Sequence, residues 1–168
     1  MGSAGIGSTG HLAGELFKMM AGINLIHVPY RGNAPALTDL IAGQIEVLFP
    51  SLGSSIEYVK AGKLRALAVT GATRSDAVPE LPTVAETLPG YQAASFYGIG
   101  TPRNTQAEIV ELLNNAVNAG LADPKLKARL TDLGYVPLPG QPVAFGKLIA
   151  DETEKWGKVI RAAGIKAE

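Results

Sequence analysis

Three times in the first 70 residues a loop rich in Gly, Ser, Pro and Asn leads into a helical apolar stripe, and a short apolar run follows. The helices read as Ser8 to about Ala21, Ala34 to Ile41, and Ser51 to Lys60. The runs are Leu25–Val28, Ile45–Phe49 and Leu64–Val69. A unit that alternates helix and strand in this way specifies an α/β fold: a parallel sheet with crossover helices. Gly22, Gly43 and Gly62 close the three helices, as glycine does at a helix C-terminus. Pro35 sits in a first turn, where its missing N–H is tolerated.

The texture then changes. Gly71 to Pro89 has few apolar residues and carries Pro79, Pro82 and Pro89, so it reads as a surface excursion with one helical turn near Val84–Thr87. Ala93 to Ile99 reads as a strand. A long amphipathic helix follows, with Ile109, Leu112, Leu113, Ala116 and Val117 on one face. A short helix spans Pro124 to Leu133, and a last one runs from about Pro142 to Ala163 with Phe145, Leu148, Ile149, Trp156, Val159 and Ile160 as its stripe. Amphipathic helices need a partner surface. The second half offers them only one or two strands, so part of that surface belongs to other sequence or to a second copy of the chain.

Composition narrows the function. The chain has 168 residues, 46% of them hydrophobic and 18% charged, which suits a packed core rather than disorder. Fifteen basic residues balance fifteen acidic ones, and no Lys/Arg run exceeds two, so nucleic acid is not an expected partner. No apolar run approaches the roughly 20 residues that span a bilayer. No export signal is read at the start. There are no cysteines, so disulfides and thiolate metal sites are excluded. No H-E-x-x-H spacing, no G-x-S-x-G elbow and no Walker lysine is found.

Chemistry is expected where the loops meet. Ligands of an open parallel sheet sit outside the carboxyl ends of its strands, where helix N-termini converge. Gly5–Thr9, Pro29–Ala34 and Pro50–Ser54 are three such loops. Their Ser8, Thr9, Asn33, Ser51, Ser54 and free N–H groups, with no acid among them, make a pocket for an anion, most simply a carboxylate. The plainer alternative is that these residues only form tight turns and caps. Arg31 stands as a bidentate partner for a carboxylate or as a solvated charge. His11 reads as a capping or packing residue, His27 as a core histidine and Trp156 as core. A strand normally precedes a loop such as Gly5–Thr9. No room for one is read here, and the chain looks as if it begins in the middle of a fold.

The residues resemble the Bug/TctC family of extracytoplasmic solute receptors, the substrate-binding subunits of tripartite tricarboxylate transport systems. The resemblance is carried by Gly7-Ser-Thr-Gly-His-Leu-Ala-Gly-Glu-Leu-Phe17, His27-Val-Pro-Tyr-Arg-Gly-Asn-Ala-Pro-Ala-Leu-Thr-Asp-Leu40, Ala61-Gly-Lys-Leu-Arg-Ala-Leu-Ala-Val69, Leu81-Pro-Thr-Val-Ala-Glu86 and Trp156-Gly-Lys-Val-Ile160, in order along the chain. It implies a type II periplasmic-binding-protein fold of two α/β lobes in proteins about twice this length. Residues 1–96 would form the second lobe. Residues 97–168 would cross back and complete the first, whose remainder, with the signal peptide, lies outside this sequence.

The resemblance further implies a periplasmic binding protein rather than an enzyme, with no cofactor and no metal. Its ligand would be a small carboxylate and its partners the membrane subunits of the transporter. Carried over by position, the contacts are Gly7, Ser8 and Thr9; Gly32, Asn33 and Ala34; Pro50 and Ser51; and Phe96 and Tyr97. Many relatives have an acid where this chain has Pro50, and that acid can hold an amino group. Pro50 implies a ligand without a cationic amine: a dicarboxylate, a tricarboxylate or an aromatic acid. Two other readings stand beside this one. In one, the chain is a non-binding remnant that pairs with a copy of itself through exposed helices. In the other, an enzyme uses the Gly/Ser loops as an anion site with His11 as its only general base.

Overall fold

A computed structural model describes residues 1–166. Two short strands, β1 (Gly2–Ser3) and β2 (Val28–Pro29), pair in parallel with Gly2 opposite Val28. An isolated parallel bridge joins Gly2 to Leu48 on the other side. The spatial order is therefore Val28, Gly2, Leu48, with the first strand in the middle. Met1, Gly2 and Ser3 are buried. A strand thus does precede the Gly5–Thr9 loop, against expectation. Two residues with almost no side chain carry no hydrophobic period, so nothing in the pattern marked them.

The helices fall where the periodicity places them. They are α1 (Thr9–Ala21), α2 (Asn33–Ile41), α3 (Leu52–Lys60), α4 (Ala107–Ala122), α5 (Pro124–Asp132) and α6 (Pro142–Ala162), with a 3₁₀ turn at Val84–Glu86. The strands are shorter than expected. Leu25–Val28 shrinks to β2, Ile45–Phe49 to the Leu48 bridge, and Leu64–Val69 to a parallel bridge between Val69 and Thr83. Ala93–Ile99 forms no strand. The reason is a lack of neighbours. A strand exists only through its pairing, and Ile26, Leu67 and Ile99 stay largely exposed along these segments.

The core sits between α1 and the Tyr91–Ala93 segment. Ala13, Tyr91 and Ala93 are buried there, with Leu16, Phe17, Phe49, Val84, Leu88 and Trp156 packed around them. Tyr91 donates from its hydroxyl to the Ala13 carbonyl at 3.0 Å and meets Phe17 edge-on. Burial holds its phenol well above the usual range. Gly10 and Gly14 let α1 lie close to the sheet. A Cβ at Gly10 would come 2.5 Å from the Phe49 carbonyl oxygen, and one at Gly14 would strike the Met1 side chain. The Gly71–Pro89 excursion is anchored at its end: Val78 and Thr83 are buried, and Arg74 grips Glu86 through two hydrogen bonds.

Candidate functional site: the loop edge of the sheet

The three loops lie side by side at the carboxyl ends of the strands. The Gly32 amide donates to the Ala4 carbonyl at 3.1 Å and the Tyr30 amide to the Ser3 carbonyl at 2.9 Å, joining the first and second loops. The close approach of Gly10 to Phe49 joins the first to the third. Gly2 is flanked by Val28 on one side and Leu48 on the other, so the chain passes through α1 to one neighbour of the middle strand and then through α2 to the other. That is the topological switch point, where helix N-termini face one crevice.

Local chemistry differs from loop to loop. In the first, Gly5 and Gly7 take positive φ values of 136° and 73°, a region that favours glycine. Ser8 caps α1, its hydroxyl accepting from the His11 amide at 3.3 Å. The Gly7 amide donates to His11 Nδ1 at 3.1 Å and the Ser8 amide to the Gly5 carbonyl at 3.1 Å, so both are committed within the protein. In the second, Gly32 caps α2 at φ 115° with no side-chain bond, which leaves the first-turn amides of α2 without a cap. In the third, Ser51 precedes α3 but bonds to Ser54 instead of capping the helix, its hydroxyl donating to Ser54 Oγ at 3.0 Å. Two uncapped N-termini thus stand beside a capped one.

Phe96 and Tyr97 follow the buried Tyr91–Ala93 segment. A cavity of about 300 Å³ is lined by Thr9, Leu12, Ser95, Phe96, Glu152 and Trp156, among others. It brings the start of α1 against residues 94–96 and α6. Phe96 meets Phe145 edge-on at 5.9 Å. Tyr97 meets Tyr135 edge-on at 6.0 Å, and Tyr135 in turn crowds Gly53 in the first turn of α3. The first loop and Phe96 therefore share a cavity, and Tyr97 stands toward the third loop. Gly32, Asn33 and Ala34 lie outside that cavity and join the group only through the first loop. Arg31 is exposed.

Glu152 escaped sequence reasoning. It lines the cavity, accepts from Trp156 Nε1 at 2.6 Å, and pairs with Lys155 at 3.2 Å. Its helical spacing to Trp156 was the available signal. Glu15, buried on α1 and bonded to Lys18 at 2.9 Å, was also missed because it sits inside a motif read for its glycines. His11 and His27 stack face to face, with centroids 3.7 Å apart and planes 8° from parallel. Desolvation lowers both. His27 is brought to about 4, by burial first and then by the charge of His11, while Glu15 partly opposes the shift on each. The described residues hold no cluster suited to a metal ion and no helix long and apolar enough to cross a membrane.

Known proteins resemble this chain along nearly its whole length. The description of the tripartite tricarboxylate transporter family receptor, TctC, matches residues 1–165. A protein encoded in the tcbD–tcbE intergenic region of a Pseudomonas species is 39% identical over 94% of this chain and 48% of its own length. One from the clcB–clcD region of Pseudomonas knackmussii is 35% identical and matches over 94% of both chains. Among solved structures, an R. palustris protein with adipate is 41% identical with a TM-score of 0.90, covering 98% of this chain and 55% of that one. MatC of Rhodopseudomonas palustris with bound malate is 31% identical with a TM-score of 0.83, over 95% of this chain and 56% of that one. With the P. knackmussii protein as the exception, the chain spans about half the length of these relatives.

Proposed function

The chain belongs to the tripartite tricarboxylate transporter receptor family, whose solved neighbours have the periplasmic-binding-protein fold, and we propose that it forms the ligand-facing lobe of a receptor for a small carboxylate. In this reading residues 1–96 are the second lobe of the longer receptors and residues 97–168 belong with their first lobe. The protein works in the periplasm and hands its ligand to membrane transporter subunits. It binds and releases; it does not catalyse.

One observation carries the reading. Three loop ends meet at the switch point of the sheet, two of them opening uncapped helix N-termini, and the cavity beside them joins Thr9 to Phe96. Helix N-terminal amides and serine hydroxyls hold carboxylate oxygens, while Phe96 and Tyr97 cover the apolar stem. The proposed contacts are Ser8, Thr9, Gly32, Asn33, Ala34, Pro50, Ser51, Phe96 and Tyr97. Gly7 supports the first loop by its conformation, since its amide is already bonded to His11. Adipate and malate in the neighbouring structures favour a di- or polycarboxylate. Pro50 has no side-chain carboxylate to hold a cationic amine.

Calorimetric titration with adipate, malate and lysine tests this. Binding of a dicarboxylate and none of lysine supports it. Binding that requires the amine of lysine overturns the ligand class. Silence toward all three overturns the assignment of these loops as a carboxylate site in this chain.

A second reading has its own observation. The chain exposes 10985 Å², whereas a compact monomer of this length exposes about 7,900 Å². The excess, about 3,000 Å² on this one chain, is well above the ~800 Å² that a standard interface takes from each partner and suits an obligate one. It is rich in apolar side chains of the second half, including Leu112, Val136, Leu138 and Val143. A second copy or the remaining lobe of a receptor would cover it. Sedimentation equilibrium decides: a dimer supports self-association, and a monodisperse monomer excludes it.

A further inference from the structure

Beneath the first loop lies a buried polar cluster that the ligand reading does not use. Ser3 is fully buried on β1, and its Oγ lies 2.7 Å from His27 Nε2. The same hydroxyl oxygen accepts from the Gly5 amide at 3.2 Å. His27 stacks on His11, and His11 Nδ1 accepts from the Gly7 amide at 3.1 Å. An amide cannot donate to a protonated ring nitrogen, so Nδ1 of His11 is bare and its proton sits on Nε2, facing Glu15 Oε1 at 3.7 Å. Two parallel rings this close cannot both carry charge without strong repulsion. Gly5 and Gly7, the two glycines of the loop with positive φ, are therefore each tied down by one end of the cluster.

We propose that His11, backed by the stacked ring of His27, is the positioning residue of the first ligand loop: it holds Gly7 only while its Nδ1 is unprotonated, and acid releases the loop. The proposal depends on the receptor reading only for calling this loop ligand-facing, and the test below reads the loop itself. Protonation of His11 turns an acceptor into a donor pointed at the Gly7 N–H, and that bond breaks. The groups that bear on this titration are Glu15 and Lys18 on α1, His27 at the start of β2, and the Met1 ammonium, which donates to the Ile26 carbonyl. Burial disfavours the charged His11 ring most, Glu15 favours it and Lys18 opposes it, while the Met1 ammonium and His11 act on His27. The loop keeps its shape at neutral pH without a counter-charge near the ligand edge, so the Gly7 amide is withheld from the ligand and the neighbouring first-turn amides of α1 are offered in its place.

Nuclear magnetic resonance of the full chain tests this. Ring nitrogen shifts give the tautomer of His11, and hydrogen exchange of the Gly7 amide, corrected for intrinsic rate, gives its protection from pH 8 to pH 4. A bare Nδ1 at pH 8, with Gly7 protection lost in step with His11 protonation, supports the proposal. In His11→Asn the amide oxygen takes the place of Nδ1, so protection persists and no longer follows pH. In His11→Phe the ring stack is kept and the acceptor is gone, so protection drops several-fold at every pH. Should His11→Phe fail to fold, the native titration and His11→Asn still decide. A proton on Nδ1 at pH 8, or Gly7 protection that ignores His11 protonation, overturns it.

Discussion

The two halves of this chain are built from similar helices and end in different states. Helices α1 and α2 bury part of their apolar stripes against β1, α1 also against the Tyr91 segment, and α3 packs its buried face against α2. Helices α4 and α5 contain no buried residue, and α6 buries only Val159. Propensity and periodicity are no poorer in the second half; Ile109, Leu112 and Leu113 keep their helical spacing. What differs is the surface available to them. An amphipathic helix is completed by what it packs on, and here the first half supplies its own partner while the second does not.

Substitutions can break that contrast. The largest loss belongs to Tyr91→Ala, which empties the middle of the core and removes the bond to Ala13. Chemical denaturation is expected to show a cost of about 3–5 kcal/mol. Gly10→Ala comes next. Its Cβ would press on the Phe49 backbone, which has no rotamer to escape by, so melting curves should show a loss of about 1–3 kcal/mol. A loss near zero would mean that α1 does not hold so close to the sheet.

Acid provides a graded test of the first half. The folded state disfavours charge on His27 and His11, while the unfolded chain takes it up near pH 6.5. Stability from this pair is full above pH 6.5 and falls as pH drops toward about 4. Glu86 acts in the same direction at lower pH. Its bonds to Arg74 and the Thr83 amide hold it near 2, so its contribution is present above its ordinary value of 4.5 and is lost as pH falls from there toward 2. Thermal melts across pH 8 to 3 would show the first decline, and His27→Gln should flatten it between 6.5 and 4.

The smallest effect sharpens the contrast most. Leu112→Ser changes an exposed side chain on α4, so the stability of the isolated chain should move by less than about 0.5 kcal/mol. If the exposed stripe is a contact surface, the same change weakens self-association seen by sedimentation. A large loss of monomer stability would show that α4 is packed in solution.

The helices, their boundaries and the loops between them could be read from the chain because each is local: periodicity, a proline in the first turn, a glycine just past the end. The family was readable from five motifs in register. The His11–His27 stack was not. The two residues are sixteen positions apart on different elements, and only the return of the chain beside β1 brings their rings together. The same holds for Glu152, which became part of a cavity wall when α6 crossed to α1.

By itself the sequence determined an α/β chain with three Gly-, Ser- or Pro-rich loops feeding helix starts, since glycine conformation, capping and hydrophobic period act over a few residues. Tertiary structure alone decided that Gly2–Ser3 is the middle strand and that the expected strands shorten, and it committed the Gly7 amide to His11. Strand pairing, stacking and hydrogen-bond commitment depend on neighbours distant in the chain, and no local pattern carries them.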